Sequence, residues 1–198
     1  MTYQINKTGA KLDQDLLEGL DCQPKETVVW DDLRFPAAGI NPAGQVTPPT
    51  IDTADPFAGT LLFSASATNS IAGQCQLPHA WKEGSSLSPH VHWCPTSTDT
   101  GNVYWRLEYQ VSDINGTFPG AYTTLNVLDA GDGITNKHQV IDFANIDMTG
   151  STLSCMLLWK LSRIGGDVTD TYASTARFLE FDIHYQIDGN GSRQEYIK

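Results

Sequence analysis

Short runs of alternating apolar and polar residues recur from Thr60 onward, and each run is bounded by turn residues. An alternation with a period of two is typical of β-strands, and no amphipathic helix of ordinary length interrupts the runs. The pattern predicts about eight strands. They are expected at residues 60–67, 71–78, 89–95, 102–113, 122–128, 137–144, 153–163 and 177–188.

The alternation also predicts which side chains face the interior, because successive residues of a strand point to opposite faces. In the run 102–113, Val103, Trp105 and Leu107 share the apolar face. The last run has Leu179, Phe181, Ile183, Tyr185 and Ile187 on one face, and Phe178, Glu180, Asp182, His184 and Gln186 on the other. Strands with one buried face pack most economically as two sheets. The predicted fold is therefore all-β, a jelly-roll-like β-sandwich of about eight antiparallel strands with an extended N-terminal arm.

The run 153–163 differs from the others because it is apolar on both of its faces. A strand of this kind is typically covered twice, once by its own core and once by an arm or a neighbouring subunit. This predicts an interface at Leu157, Leu158 and Trp159.

The arm is predicted from the proline-rich segment 27–59, which has few periodic positions. Proline and the residue before it disfavour helix, and a long segment without regular structure is uncommon inside a compact domain. We therefore expect residues 1–59 to form a docking arm and residues 60–198 to form the sandwich domain. The residues expected to anchor the arm on a neighbour are Trp30, Asp31, Asp32, Leu33, Arg34 and Phe35.

Charge and composition exclude several functions. The chain carries a formal net charge of -11, and its 12 Lys and Arg residues are scattered singly, which argues against a nucleic-acid partner. No run approaches the roughly 18 apolar residues of a membrane span, so no membrane association is expected. The start of the chain has no apolar signal core, and the four cysteines form no C-x-x-C pair. These features predict a soluble protein made in a reducing cytoplasm.

The stretch "GSSLSPHVHWCP" carries the most chemistry, since strand geometry places His90 and His92 on one face and Val91 and Trp93 on the other. Two imidazoles at this spacing could hold a metal ion, with His184 as a third ligand. "GSSLSPHVH" resembles the opening of the cupin motif, which implies a metal-dependent enzyme. The carboxylate of that motif is replaced by Thr96 and Ser97, and no later motif supplies its third histidine. The prediction is therefore no metal, no cofactor and no enzyme activity, with both histidines hydrogen-bonded on a polar face.

A further alternative is a module that binds host glycan through exposed aromatic residues. Trp81 lies in the turn-rich stretch "LPHAWKEGS", and Tyr104 lies on the polar face of its strand. An exposed aromatic ring at either position could stack on a sugar. A tryptophan such as Trp81 more often covers the end of a sandwich.

Four stretches resemble a family of tailed-bacteriophage proteins: "WDDLRFPAAGINPAG", "LPHAWKEGSSLSPHVHW", "TGNVYWRLEYQ" and "RFLEFDIHYQID". The resemblance implies a structural subunit of the virion, of the capsid-decoration, head-fibre or tail-associated type. It also implies a homotrimer whose partners are capsid or tail subunits. The acidic surface and the proline-rich arm are compatible with such docking.

Overall fold

The computed structural model describes residues 28–41 and 47–197, and within them the chain forms ten β-strands. The first five strands are β1 (Val29–Pro36), β2 (Thr50–Ile51), β3 (Leu61–Phe63), β4 (Thr68–Gln76) and β5 (Ser88–Pro95). The other five are β6 (Asn102–Ser112), β7 (Thr123–Ala130), β8 (Gln139–Asp142), β9 (Met156–Ile164) and β10 (Ala176–Ile187). A single 3₁₀ turn, Ala37–Gly39, is the one helical element in the described part of the chain. No helix there has the length and apolarity that crossing a membrane requires.

The strands form two antiparallel sheets packed face to face, which confirms the predicted all-β sandwich. The six-stranded sheet runs in the order β2-β3-β10-β5-β8, and β1 pairs with β10 on the edge that β3 also uses. The four-stranded sheet runs β4-β9-β6-β7. Each of the eight predicted strands overlaps an observed one, and β1 and β2 are additional.

The core lies between the two sheets and follows the predicted alternation. Val103, Trp105 and Leu107 of β6 are fully buried, as are Val91 and Trp93 of β5. Burying aromatic and aliphatic side chains of this size contributes about 1.5–3 kcal/mol each. The histidines of β5 are consequently directed to the opposite, outer face of the six-stranded sheet.

The alternation is interrupted once in β10, where the pairing with β5 shifts between Phe178 and Glu180. A bulge places one extra residue in a strand and reverses the face of every residue on one side of it. Phe178 therefore joins the core, in contrast to the sequence prediction, while Phe181 and Ile183 face inward as predicted.

The N-terminal strand corrects the predicted docking arm. β1 pairs with β10 over eight residues, from Val29 opposite Ile187 to Pro36 opposite Glu180. Leu33 and Phe35 pack against the core of the same chain. The segment 29–36 is thus a strand of the sandwich, because its alternating side chains complete the inner face beside β10. Residues 1–27 and 42–46 of the predicted arm lie outside the described residues, and its segment 47–59 contributes β2 to the same sheet.

Candidate functional site

The outer face of the six-stranded sheet carries a row of ionisable residues that runs across four strands. The strand registers place Arg34 of β1 opposite Asp182 of β10, Asp182 opposite His90 of β5, and His90 opposite Asp142 of β8. Opposing residues on neighbouring strands have Cβ atoms about 5 Å apart, so side chains on one face interact directly. The sheet therefore gathers residues from four distant parts of the chain into one line.

Two neighbouring rows widen this line into a polar surface. In one row, Asp32 lies opposite His184. In the other, Glu180 lies opposite His92, and His92 lies opposite Val140. Together the rows form an open depression of about 450 Å³. We call it the polar depression; its lining residues are Asp32, Arg34, His90, His92, Val140, Asp142, Glu180, Asp182 and His184.

The centre of the polar depression is the carboxylate of Asp182, which is almost fully buried. His90 Nε2 is in close contact with Asp182 Oδ1, and His92 Nε2 lies 3.4 Å from Asp182 Oδ2. The ring of His184 lies edge-on to the ring of His90, with 4.2 Å between centroids. His184 Nε2 is in turn 3.0 Å from Asp32 Oδ1. The structure thus brings together all three histidines that the sequence singled out.

A fourth histidine joins the group from the segment before β8. His138 Nε2 lies 2.7 Å from His92 Nδ1, and the two rings stack with their centroids 4.9 Å apart. Four of the five histidines of the chain therefore meet at this site. His79, the fifth, lies elsewhere, between the hydroxyls of Ser192 and Ser154.

The environment shifts the pKa values of two of these histidines in opposite directions. Burial lowers the pKa of His90, but the close contact with Asp182 and its negative charge outweigh burial, so the net pKa is raised. Burial lowers the pKa of His92, and the nearby His90 and His138 act in the same sense; the charge of Asp182 opposes them without reversing the shift. The two histidines therefore differ in how readily they take up a proton, His90 more readily than His92.

One edge of the polar depression is fixed by an ion pair between β1 and β10. Arg34 donates two hydrogen bonds of 2.7 Å to Glu180, from Nε to Oε1 and from its terminal nitrogen to Oε2. This parallel arrangement holds both side chains in one orientation. Along the same strand, Asp31 Oδ2 accepts a hydrogen bond of 2.9 Å from the Tyr185 hydroxyl. The predicted anchors Asp31, Asp32 and Arg34 thus contact their own chain, as Leu33 and Phe35 do.

Trp30 is a predicted anchor whose large aromatic side chain remains half-exposed. The residue is 48% exposed, and it precedes Asp32 by two residues on a regularly paired strand. It therefore lies on the same face as Asp32, about 7 Å farther along β1. Trp30 stands beside the polar depression.

Two of the three interface residues predicted on β9 lie inside the protein. Leu157 is fully buried and Trp159 is 2% exposed, and both belong to the core. The prediction of an interface at these two positions is wrong, because β9 is an inner strand whose inward face is covered by the six-stranded sheet. Leu158 is on the outer face of the four-stranded sheet and is half-buried there.

The predicted sugar-stacking residues differ in their placement. Trp81 is fully buried, and its Nε1 donates a hydrogen bond of 3.3 Å to the Ser85 carbonyl, so a role in stacking on a ligand is excluded. Tyr104 is half-exposed in a smaller depression of about 270 Å³ on the outer face of the four-stranded sheet. Its neighbours there are Asn126, Val127, Leu128 and Thr169.

Sequence reasoning missed Asp142 and the central role of Asp182, and it set His138 aside as a third histidine. The alternation places Asp182 on an outer face, but nothing in a single strand indicates which residues of other strands lie beside it. His138 precedes β8 and has no motif around it. Only the pairing of β5 with β8 brings these residues to the site.

Comparisons with known proteins add the following similarities. No family model and no curated protein matches the chain. Among solved structures, a family 35 carbohydrate-binding module from Cellvibrio japonicus Abf62 shares 12% identity at a TM-score of 0.44, covering 80% of this chain and 99% of that one. A family 35 module from Clostridium thermocellum shares 9% identity at a TM-score of 0.44, covering 77% and 97%. The mosquito-larvicidal Cry4Aa toxin from Bacillus thuringiensis shares 11% identity at a TM-score of 0.46, covering 80% and 24%. Identities and TM-scores this low leave ligand and activity to be argued from the residues of the chain itself.

Proposed function

We propose that this protein is a non-catalytic carbohydrate-binding module that holds a neutral sugar in the polar depression of the six-stranded sheet. The observation that carries the proposal is the combination of cross-strand polar rows with the half-exposed indole of Trp30 beside them. A sugar ring has a rim of hydroxyl groups and two faces of C–H groups. A site that fits it therefore needs charged or polar partners for the rim and an aromatic surface for a face.

The polar partners are rigidly placed. Asp142, Asp182 and Glu180 lie on paired strands, and Glu180 is held further by the two hydrogen bonds from Arg34. Sites built on strands hold their groups more accurately than sites built on loops, so less conformational entropy is lost on binding. Carboxylates accept hydrogen bonds from hydroxyl groups, and such charge-assisted bonds are about twice as strong as neutral ones.

The charge of the polar depression disfavours an anionic ligand. Four carboxylates line it (Asp32, Asp142, Glu180 and Asp182) against the one guanidinium of Arg34. This excess of negative charge repels acidic sugars and phosphates. The depression is also open, so we expect weak affinity for a single sugar. Binding to a surface that displays many copies of the sugar should be tighter.

A glycan array tests the proposal, because its multivalent display detects weak binding. The labelled full chain is applied to neutral and acidic glycans, and the best ligand is then measured by isothermal titration calorimetry. We expect Trp30→Ala and Asp142→Asn each to reduce affinity by roughly 10-fold or more, as for the loss of one good contact. Tyr104→Ala, on the opposite sheet, is the matched control and should bind normally. No retained glycan, or a loss of binding in Tyr104→Ala but not in Trp30→Ala, would contradict the assignment.

The virion location and the homotrimer predicted from the sequence stand as a separate proposal. Its support is the resemblance of the four sequence stretches to tailed-bacteriophage proteins. Native mass spectrometry of the full chain tests it directly. A trimer supports the assembly, and a monomer at micromolar concentration contradicts it.

A further inference from the structure

The polar depression has a second property that goes beyond sugar binding, because ligand atoms suited to a metal ion converge on Asp182. One nitrogen each of His90 and His92 and one oxygen of Asp182 lie within 4.8 Å of one another. We propose that His90, His92 and Asp182 bind one divalent transition-metal ion. The proposal does not depend on sugar binding, and its test uses no sugar.

The donor set indicates the class of metal. Two imidazole nitrogens and one carboxylate oxygen suit zinc, iron(II) and related ions, whereas calcium and magnesium prefer oxygen ligands throughout. His90 and His92 are two residues apart on β5, so both extend from the same face, and Asp182 lies directly opposite His90 on β10. Because the three ligands extend from two paired strands, their positions on one side of the ion are fixed by the sheet.

An unsatisfied contact at the centre of the group supports a bound cation. Asp182 Oδ1 is buried and makes no aligned hydrogen bond to any described residue, although His90 Nε2 is in close contact with it. The contact with His90 leaves this buried carboxylate oxygen without an aligned hydrogen bond, which is costly. A metal ion that binds both atoms would remove that cost, since each atom would direct a lone pair to the ion.

A histidine that binds a metal through one ring nitrogen usually forms a hydrogen bond through the other, and His138 provides this outer contact for His92. Its Nε2 lies 2.7 Å from His92 Nδ1, while His92 Nε2 faces Asp182 at 3.4 Å. If His92 Nδ1 donates its hydrogen to His138, the lone pair of His92 remains on Nε2, where the metal would lie. Such outer contacts fix the tautomer and the orientation of the ligand. His138 is therefore a positioning residue for His92.

The surroundings favour a cation and leave room for exchangeable ligands. The lining of the polar depression carries four carboxylates and one guanidinium, a local excess of three negative charges when the histidines are neutral. A site lined by one sign of charge concentrates counter-ions. Three protein ligands on an open depression would leave further coordination positions to solvent or to a ligand hydroxyl. The second convergent group, Asp32, Asp182 and His184, shares Asp182, so we expect one ion per chain.

Metal titration of the tag-free full chain tests the proposal. The protein is stripped with EDTA and titrated with Zn²⁺ by calorimetry and with Co²⁺ by visible absorption, which reports nitrogen and oxygen coordination. We expect the parent protein to bind about one ion per chain. In the double variant His90→Ala/His92→Ala, the affinity should fall more than roughly 100-fold, which exceeds the loss typical of removing an outer contact. His138→Ala should lose roughly 10- to 100-fold and shift the Co²⁺ spectrum. His79→Ala, the histidine outside the site, is the matched control and should bind normally.

Circular dichroism establishes that each variant is folded before its affinity is compared. If Asp182→Asn folds, its metal affinity is measured in the same way. If it does not fold, the single variant His92→Ala, which removes a less buried ligand, is used in its place. Stoichiometric binding that is lost in the His90 and His92 variants and retained in His79→Ala supports the site. No stoichiometric binding, binding that survives in the double variant, or a preference for Ca²⁺ over Zn²⁺ would overturn it. Because no sugar is present, these outcomes are separate from success or failure on the glycan array.

Discussion

Phe35 of β1 packs edge-on against Trp159 of β9, with 4.9 Å between ring centroids and an interplanar angle of 63°. The same Phe35 ring stacks on Phe181 of β10 at 5.7 Å. The sequence predicts both Phe35 and Trp159 for surfaces between subunits, yet the two side chains contact each other in the interior of one chain. The N-terminal strand is therefore part of the core.

This contact predicts that Phe35→Ala lowers the free energy of unfolding by about 3 kcal/mol, since it removes an aromatic side chain from two ring contacts. Trp30→Ala on the outer face of the same strand should change it by no more than about 0.5 kcal/mol. Urea denaturation followed by circular dichroism measures both. Equal stability of the two variants would mean that β1 contributes nothing to the core.

A buried ion pair between Arg163 and Asp170 predicts a second large effect on stability. Both side chains are fully buried; Arg163 donates two hydrogen bonds to Asp170, and others to the carbonyls of Phe63, Tyr172 and Ser174. Removing one partner of a buried pair leaves an uncompensated charge. We expect Asp170→Asn to cost about 3–5 kcal/mol in chemical denaturation.

The matched control for the buried pair is the more exposed ion pair between Lys160 and Glu108 on the outer face of the four-stranded sheet. Exposed pairs contribute little, so Lys160→Ala should cost no more than about 1 kcal/mol. If the two variants lose similar amounts of stability, burial is not what makes the Arg163 pair important.

Asp52 predicts a component of stability that is lost in acid. Its carboxylate accepts hydrogen bonds of 2.9 Å from the Ala54 amide and from Arg177 Nε. The hydrogen bond from Ala54, and then the contact with Arg177, hold the pKa of Asp52 below its usual value despite burial. A carboxyl group whose pKa is lower in the folded state than in the unfolded state stabilises the fold when it is ionised. This contribution is fully present above the unfolded pKa of about 3.9 and is lost as the pH falls through the folded pKa.

We therefore expect Asp52→Asn to be less stable than the parent protein by about 2 kcal/mol at pH 7. The difference should shrink as the pH is lowered below about 4, because the parent protein then loses the same interaction. Thermal or urea unfolding between pH 7 and pH 2.5 measures it. Stability curves that run parallel over this range would contradict the role assigned to Asp52.

The thiols of half-buried Cys75 and fully buried Cys155 should be unreactive in the folded protein. Burial raises the pKa of Cys75 and of Cys155 to about 12. The thiolate is the reactive species, so almost none is present at pH 8. In a Cys22→Ser/Cys94→Ser variant, which leaves these two thiols, Ellman's reagent should react slowly until denaturant is added. Rapid reaction of two thiols in the native state would show that the four-stranded sheet opens readily near β4 and β9.

The local pattern of the sequence determined the strands and their inward faces. Val91 and Trp93, and likewise Val103 and Trp105, lie in the core where the alternation placed them. The reason is that a strand has a period of two whatever lies beside it, so the division into two faces is a local property. The same rule correctly predicted that His90 and His92 lie on an outer face. It failed at Phe178, where a bulge inserts one residue and reverses the face.

The tertiary structure alone decided which strands are neighbours and in which register. Arg34, His90, Asp142 and Asp182 are far apart in the sequence, and they form one row only because β1, β10, β5 and β8 pair with those offsets. Register is fixed by packing and hydrogen bonding between distant segments, which alternation within a single strand does not encode. For the same reason, the sequence could mark His90, His92 and His184 as candidates, whereas the carboxylate of Asp182 at their centre and the supporting ring of His138 emerged only from the folded sheet.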